Sequence, residues 1–298
     1  MRNLVILILA AFLVFGCMGG GAPSGSTGQT GGLPQIPGTT CEPAYTFSDL
    51  PEGVLSQSAD LGVAVTCGAG KKLAVKLDGI EAGSLSPNSN DAQQLSLSFA
   101  PKKDGAVKLT VESDGKQVYS LDWTVKPLGS QDTKGSDSDG VSFKEWRAVA
   151  VDVGNPINAG SAKIFTKRLE FRSQPGTDII VELRKDKSGK PGDAVASVER
   201  PINVTTLSEN WISFDFAQKP ALSPGRYWIV MKIKQTENVR IVSDTIYIHN
   251  VAIDKQSSGN DYTRQMFLNV NSVDGTATES SWDPLPYDKA YSVVLTSG

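Results

Sequence analysis

Histidine is almost missing from this chain: one of its 298 residues is His, at His249. With Cys17 set apart at the N-terminus, the two remaining cysteines and one distant imidazole cannot complete a closed zinc site without carboxylates, so no metal site is expected. A Ser-His-Asp triad would have to recruit His249, and no Gly-x-Ser-x-Gly elbow accompanies it. No P-loop and no dinucleotide fingerprint occur, so no cofactor is implied. A basic stripe is also lacking. Lys and Arg (29) are scattered among Asp and Glu (32), for a net charge of −3, which argues against a nucleic-acid partner. Beyond the first residues there is no apolar run long enough to span a membrane.

What is present begins at the N-terminus. Arg2 precedes an unbroken apolar run, Leu4 to Phe15, that ends in Gly16-Cys17. A positive start, a short apolar core and a small residue are the order of a signal peptide. The run falls short of the about 20 residues a spanning helix needs. Val14-Phe15-Gly16-Cys17 resembles the lipobox of prokaryotic lipoproteins. That resemblance implies removal of residues 1–16 and a lipid on Cys17, which becomes the mature N-terminus. It places the protein outside the cytoplasm, with the cell membrane as a partner through that lipid. Buried acyl methylenes hold such an anchor at about 0.8 kcal/mol each.

The stretch from Met18 to Thr40 carries no charge and is rich in Gly, Ser, Thr and Pro. It cannot bury enough apolar surface to offset ordering entropy. Residues 17–40 therefore read as a lipidated Cys and a flexible tether, with a mean span on the order of 25–30 Å from square-root scaling. Cys41 and Cys67 remain as an even pair in an oxidising context, and a disulfide between them is expected, the alternative being two buried thiols.

The rest of the chain reads as all-β, two β-sandwich domains. In residues 41–128, apolar and polar residues alternate over Leu61–Cys67, Lys72–Leu77, Gln94–Phe99, Ala106–Val111 and Val118–Val125, the period of half-buried strands. Asp78-Gly79, Asp104-Gly105 and Asp114-Gly115 are turn signals. About seven short strands at this spacing suggest a small immunoglobulin-like sandwich. Residues 129–140 read as a second linker. Asp132, Asp137 and Asp139 there do not have EF-hand spacing, so a solvated hinge is the better reading than a calcium loop.

Residues 141–298 give clear strands at Ile179–Leu183, Ala194–Val198, Trp211–Phe216, Tyr227–Ile233, Thr245–Ile248 and Tyr291–Leu295, a pattern for a jelly roll or similar sandwich. In Trp211–Phe216, alternation puts Trp211, Ser213 and Asp215 on one face and Ile212, Phe214 and Phe216 in the core. Tyr227 and Trp228 must face opposite sides. Four features in register, Val181–Arg184 leading to Gly189-Lys-Pro-Gly192, Trp211-Ile-Ser-Phe-Asp-Phe216, Leu222-Ser-Pro-Gly225-Arg-Tyr-Trp-Ile229 and Ser281–Asp288, resemble a jelly-roll module of prokaryotic cell-surface and phage proteins. The resemblance spans roughly residues 165–295 and implies a binding or adhesion accessory, carbohydrate-binding-like.

The expected role is therefore non-catalytic binding or adhesion, with a surface glycan or an envelope protein as partner. Sugars stack on Trp and Tyr, which join a large rigid face to a polar handle. Trp282, Tyr262, Tyr287 and Trp211 are the candidate ligand-binding residues, Trp282 and Tyr262 first because their neighbours are polar and loop-like. Most such rings in a sandwich are core. Asn203-Val-Thr205 is a lone glycosylation sequon. One rival is a structural envelope protein that binds a protein partner. Another is a carboxylate glycosidase drawing on Asp215, Asp244, Asp254, Asp261 or Asp283, since two acids at the right separation suffice.

Overall fold

The computed structural model describes residues 41–131, 138–141, 145–170, 178–201, 210–234, 245–252, 265–269, 282–284 and 289–298. Every regular element among them is a β-strand, and Cys41–Gly298 form one compact unit.

The first sandwich is built from β1 (Ala44–Phe47), β2 (Gly53–Val54), β3 (Ala59–Thr66), β4 (Leu73–Leu77), β5 (Ile80–Leu85), β6 (Gln93–Phe99), β7 (Gly105–Ser113) and β8 (Lys116–Lys126). One sheet has the order β1-β3-β6, the other β2-β8-β7-β4-β5. Alternation fixes which residues enter the space between them. Leu61, Val63 and Val65 of β3 and Val107, Leu109 and Val111 of β7 are buried, while their sequence neighbours face out or are half-buried. Two of the expected Asp-Gly turns join neighbouring strands. At Asp78-Gly79 (φ 49° and 83°) and Asp114-Gly115 (φ 47° and 83°) both residues take positive φ, as a two-residue hairpin that follows the strand twist requires. Asp104-Gly105 instead ends a longer connection, with Gly105 already the first residue of β7.

The remaining strands are β9 (Leu128–Gly129), β10 (Ser138–Val141), β11 (Glu145–Val153), β12 (Ile157–Glu170), β13 (Asp178–Lys187), β14 (Lys190–Pro201), β15 (Asn210–Asp215), β16 (Ala221–Leu222), β17 (Gly225–Ile233), β18 (Thr245–Ala252), β19 (Gln265–Asn269), β20 (Asp283–Pro284), β21 (Lys289–Tyr291) and β22 (Val293–Ser297). They make a second sandwich. One sheet runs β10-β18-β12-β22-β9, with β15 and β16 also paired to β12 and β21 to β18; the other runs β14-β13-β17-β11-β19-β20. The turn expected over Gly189–Gly192 lies two residues earlier. Ser188 and Gly189 take the positive φ (55° and 80°), and Lys190–Gly192 already run in β14, with Pro191 opposite Asp186. Asp186 fixes this turn by accepting the Gly189 N–H at 3.0 Å. Tyr227 and Trp228 are buried on opposite faces of β17, as alternation requires.

Strands occupy both ends of the 129–140 segment: β9 pairs with β22, and β10, which holds Asp139, pairs with β18. Asp132 and Asp137 lie outside the described residues. Gly129, at φ 108°, permits β9 to cross against β22, because a Cβ there would collide with the Val293 carbonyl oxygen. Further bonds join the sandwiches beside this crossing. Asn155 Nδ2 donates to Ser56 O at 2.8 Å, Gln57 Nε2 to Asp152 O at 2.8 Å, and Ser297 N–H to the Asp104 carboxylate at 2.6 Å. Cys41 and Cys67 form the expected disulfide, with Cα atoms 5.4 Å apart, tying the residues just ahead of β1 to the end of β3.

Candidate ligand-binding face

Among the described residues, the strand β15 carries the one sequence-predicted ligand residue whose ring is partly open to solvent. Its inward residues Ile212 and Phe214, with Phe216 just beyond, are buried in the core. That fixes the strand's orientation, so Trp211, Ser213 and Asp215 face outward. β15 pairs with β12 in the register Phe165↔Trp211, Lys163↔Ser213 and Ser161↔Asp215. Residues directly opposite share a face, so Phe165 and Lys163 join the same outward surface.

Trp211 and Phe165 are both half-buried, and their rings meet edge to face, centroids 5.5 Å apart at 61°. Ser213 Oγ donates to Asp215 Oδ1 at 2.7 Å. Arg200, on β14 of the facing sheet, donates from its guanidinium to Ser213 O at 2.7 Å. Lys163 and Asp215 are exposed. The face thus offers a ring pair bordered by a hydroxyl, a carboxylate and the Lys163 ammonium, with the Arg200 guanidinium at the β15 backbone. A pyranose ring needs that chemistry: an aromatic surface for its C–H face and donors and acceptors for its hydroxyls. Phe165, Lys163 and Arg200 were not singled out from sequence. The spacing within Trp211–Phe216 indicates an outward strand face, but nothing local reports which strand pairs with it.

Trp282 does not lie at the surface. Only 4% of it is accessible, and it packs 6.4 Å from Trp146 in a small second core with Ala148, Ala150, Trp228 and Val230. This core covers the face of the six-stranded sheet turned away from the main core. Glu182 is buried there between Arg184 (Nε···Oε2 2.7 Å) and Lys232 (Nζ···Oε1 2.6 Å), and Lys232 Nζ sits 4.4 Å from the Trp146 ring centroid. Trp228 Nε1 donates to Asp186 at 2.7 Å. The polar neighbours of Trp282 in sequence suggested a loop, but they adjoin the short strand β20, which places the ring under cover. No open ring face is left there for a sugar to stack on.

Tyr262, Tyr287, Asn203, Asp244, Asp254, Asp261 and Cys17 lie outside the described residues. His249 lies in β18, opposite Ser138. Asp283 is exposed in β20. Among the described residues no group of three His, Cys, Asp or Glu is arranged to hold a metal ion. The first sandwich has a separate feature, a cleft of about 200 Å³ between the β4–β5 hairpin and the connection after β6. Leu77, Ala82, Pro101 and Val107 line it, Asp78 and Lys103 pair at its rim at 3.3 Å, and Ile80 beside it is 75% exposed.

No protein-family model and no curated protein matches the sequence. Among solved structures, the chain is similar to SGBP-B from a complex xyloglucan utilization locus in Bacteroides uniformis. The two are 11% identical over 68% of this chain and 70% of that one, with a TM-score of 0.24. At that TM-score the likeness carries no argument about fold or function.

Proposed function

We propose that this chain is a lipid-anchored extracytoplasmic protein that binds carbohydrate without chemically changing it, through the Trp211–Phe165 face. One observation carries the ligand reading: a half-buried tryptophan, held edge-on by Phe165, is bordered by Ser213, Asp215 and Lys163 on one regular strand surface. Its rotamer is set by packing, so little ordering entropy is lost when a ring stacks on it. The leader, the uncharged tether and the disulfide support the location. Screening the detergent-solubilised full chain against a panel of neutral and acidic polysaccharides tests the ligand, and absence of any binding would remove this reading. For the anchor, Cys17→Ser should release the protein from the membrane or leave it with its leader uncut. Unchanged lipid attachment in metabolic labelling with a radioactive fatty acid would contradict it.

A second reading, an envelope protein that docks a protein partner, is favoured by one observation. Ile80 is a large apolar residue left exposed next to an apolar cleft. Such a patch, if it docks a partner, should give crosslinks from a photoreactive group placed at position 80 in the intact envelope.

A further inference from the structure

The β12–β15 register carries an inference about the charge of the ligand. We infer that the Trp211 face is selective for acidic sugars, with the sugar ring on Trp211 and its carboxylate held by Lys163 and Arg200. This rests on the carbohydrate reading above and adds a ligand class to it.

Lys163 lies opposite Ser213, one side-chain repeat along the strands from the Phe165–Trp211 pair, a displacement of about 7 Å. Arg200 reaches the same row from the other sheet, since its guanidinium bonds Ser213 O at 2.7 Å. Lys163 on the outward face and Arg200 at the β15 backbone therefore both stand at the Ser213 row, each exposed. Asp215 stands one row further on, opposite Ser161, and accepts the Ser213 hydroxyl. Among the described residues neither Lys163 nor Arg200 forms an ion pair. The solvent face of the five-stranded sheet of the first sandwich differs, for there Lys76 pairs with Glu112 at 2.6 Å and Lys108 with Asp122 at 3.0 Å. Each of those lysines already has its carboxylate. At the Trp211 face the carboxylate present, Asp215, takes the Ser213 hydroxyl and no ion pair with Lys163 or Arg200, so both cations are left for the ligand.

The chemistry is specific enough to rank ligands. A guanidinium accepts a planar carboxylate through two parallel N–H···O bonds, while the ammonium adds a point charge. Neutral hydroxyls use neither as well. A uronic acid supplies both features in one unit, a pyranose face for the indole and a carboxylate at the ring's edge.

Matched pairs of ligands test this: oligogalacturonate, oligomannuronate and oligoguluronate, each beside its methyl ester, titrated calorimetrically into the detergent-solubilised full chain. At least one acid should bind about tenfold or more tightly than its ester, with the advantage shrinking as salt is raised. Lys163→Gln should lower the acid-to-ester affinity ratio, and an unchanged ratio would contradict the role of Lys163. Arg200→Gln should do the same, but Arg200 also bridges two sheets, so Lys163→Gln is the decisive variant. If no acid binds better than its ester, the inference is wrong, and if the esters or neutral glycans still bind, the carbohydrate reading survives it. If nothing in the panel binds, both are wrong.

Discussion

Asp78 shows how much of this protein's surface electrostatics is set by single residues at turns. It sits at the tip of the β4–β5 hairpin at φ 49° and accepts the Lys108 N–H at 2.9 Å. That backbone bond, and then the Lys103 ammonium, hold its carboxyl below the ordinary 3.8. A depressed carboxyl contributes stability that is fully present above the ordinary value and is lost as pH falls through the folded one. Asp78→Asn keeps the tolerance for positive φ and removes the titration. The variant should therefore lose stability less steeply than the parent below about pH 4 in urea unfolding followed from pH 7 to pH 2. Parallel decline of both would show that Asp78 contributes nothing to the acid limb. At the same scale, the aromatic candidates divided by register. Trp211 faces outward because its neighbours Ile212 and Phe214 are committed to the core, and that was legible from six residues. The burial of Trp282 was not, because it depends on Trp146, some 136 positions away in the chain.

At the scale of elements, strands with one wet face were readable from alternation, and those with two dry faces only where, as in β17, the apolar run was long and unbroken. β3, β6 and β7 alternate cleanly and follow their expected positions to within a residue or two. β11 escaped notice. Val149, Val151 and Val153 fill the main core, while Trp146, Ala148 and Ala150 are buried on the reverse face, so no polar residue marks every second position. β12 was hidden for a related reason: Ser161 and Thr166 are buried polar residues, and Ser161 shares a hydrogen bond with Thr296 at 2.8 Å. The disulfide belongs to this scale too. It closes a separation of 26 residues across the ends of β1 and β3, and β1 is a four-residue edge strand with few pairing bonds of its own. Replacing both Cys41 and Cys67 by Ser should cost about 3 kcal/mol in the loop-entropy account. Amide exchange in Tyr45–Phe47 should also speed up ahead of the rest of the sheet. Unchanged exchange there would mean that β1 is held by its ladder alone.

The whole molecule is more than two sandwiches on a string. β9 leaves the first sandwich and completes a sheet of the second, and Ser297, next to the last residue, is bound back to Asp104. The Asp104 carboxylate accepts both the Ser297 N–H (2.6 Å) and its hydroxyl (2.7 Å). Hydrogen bonds to a charged group are worth about 1.5–3 kcal/mol. Asp104→Ala should lower the melting temperature and separate the unfolding of the two sandwiches, where the parent gives a single calorimetric transition. Two separated transitions in the parent would show that the junction does not couple them. The central claim, that Trp211 is the floor of a carbohydrate site, is tested most directly by titrating the best-binding glycan of the panel into the parent and into Trp211→Ala. Loss of at least about tenfold in affinity, which is about 1.4 kcal/mol, with a cooperative unfolding transition retained is the predicted result. Equal affinity of the two proteins would contradict it.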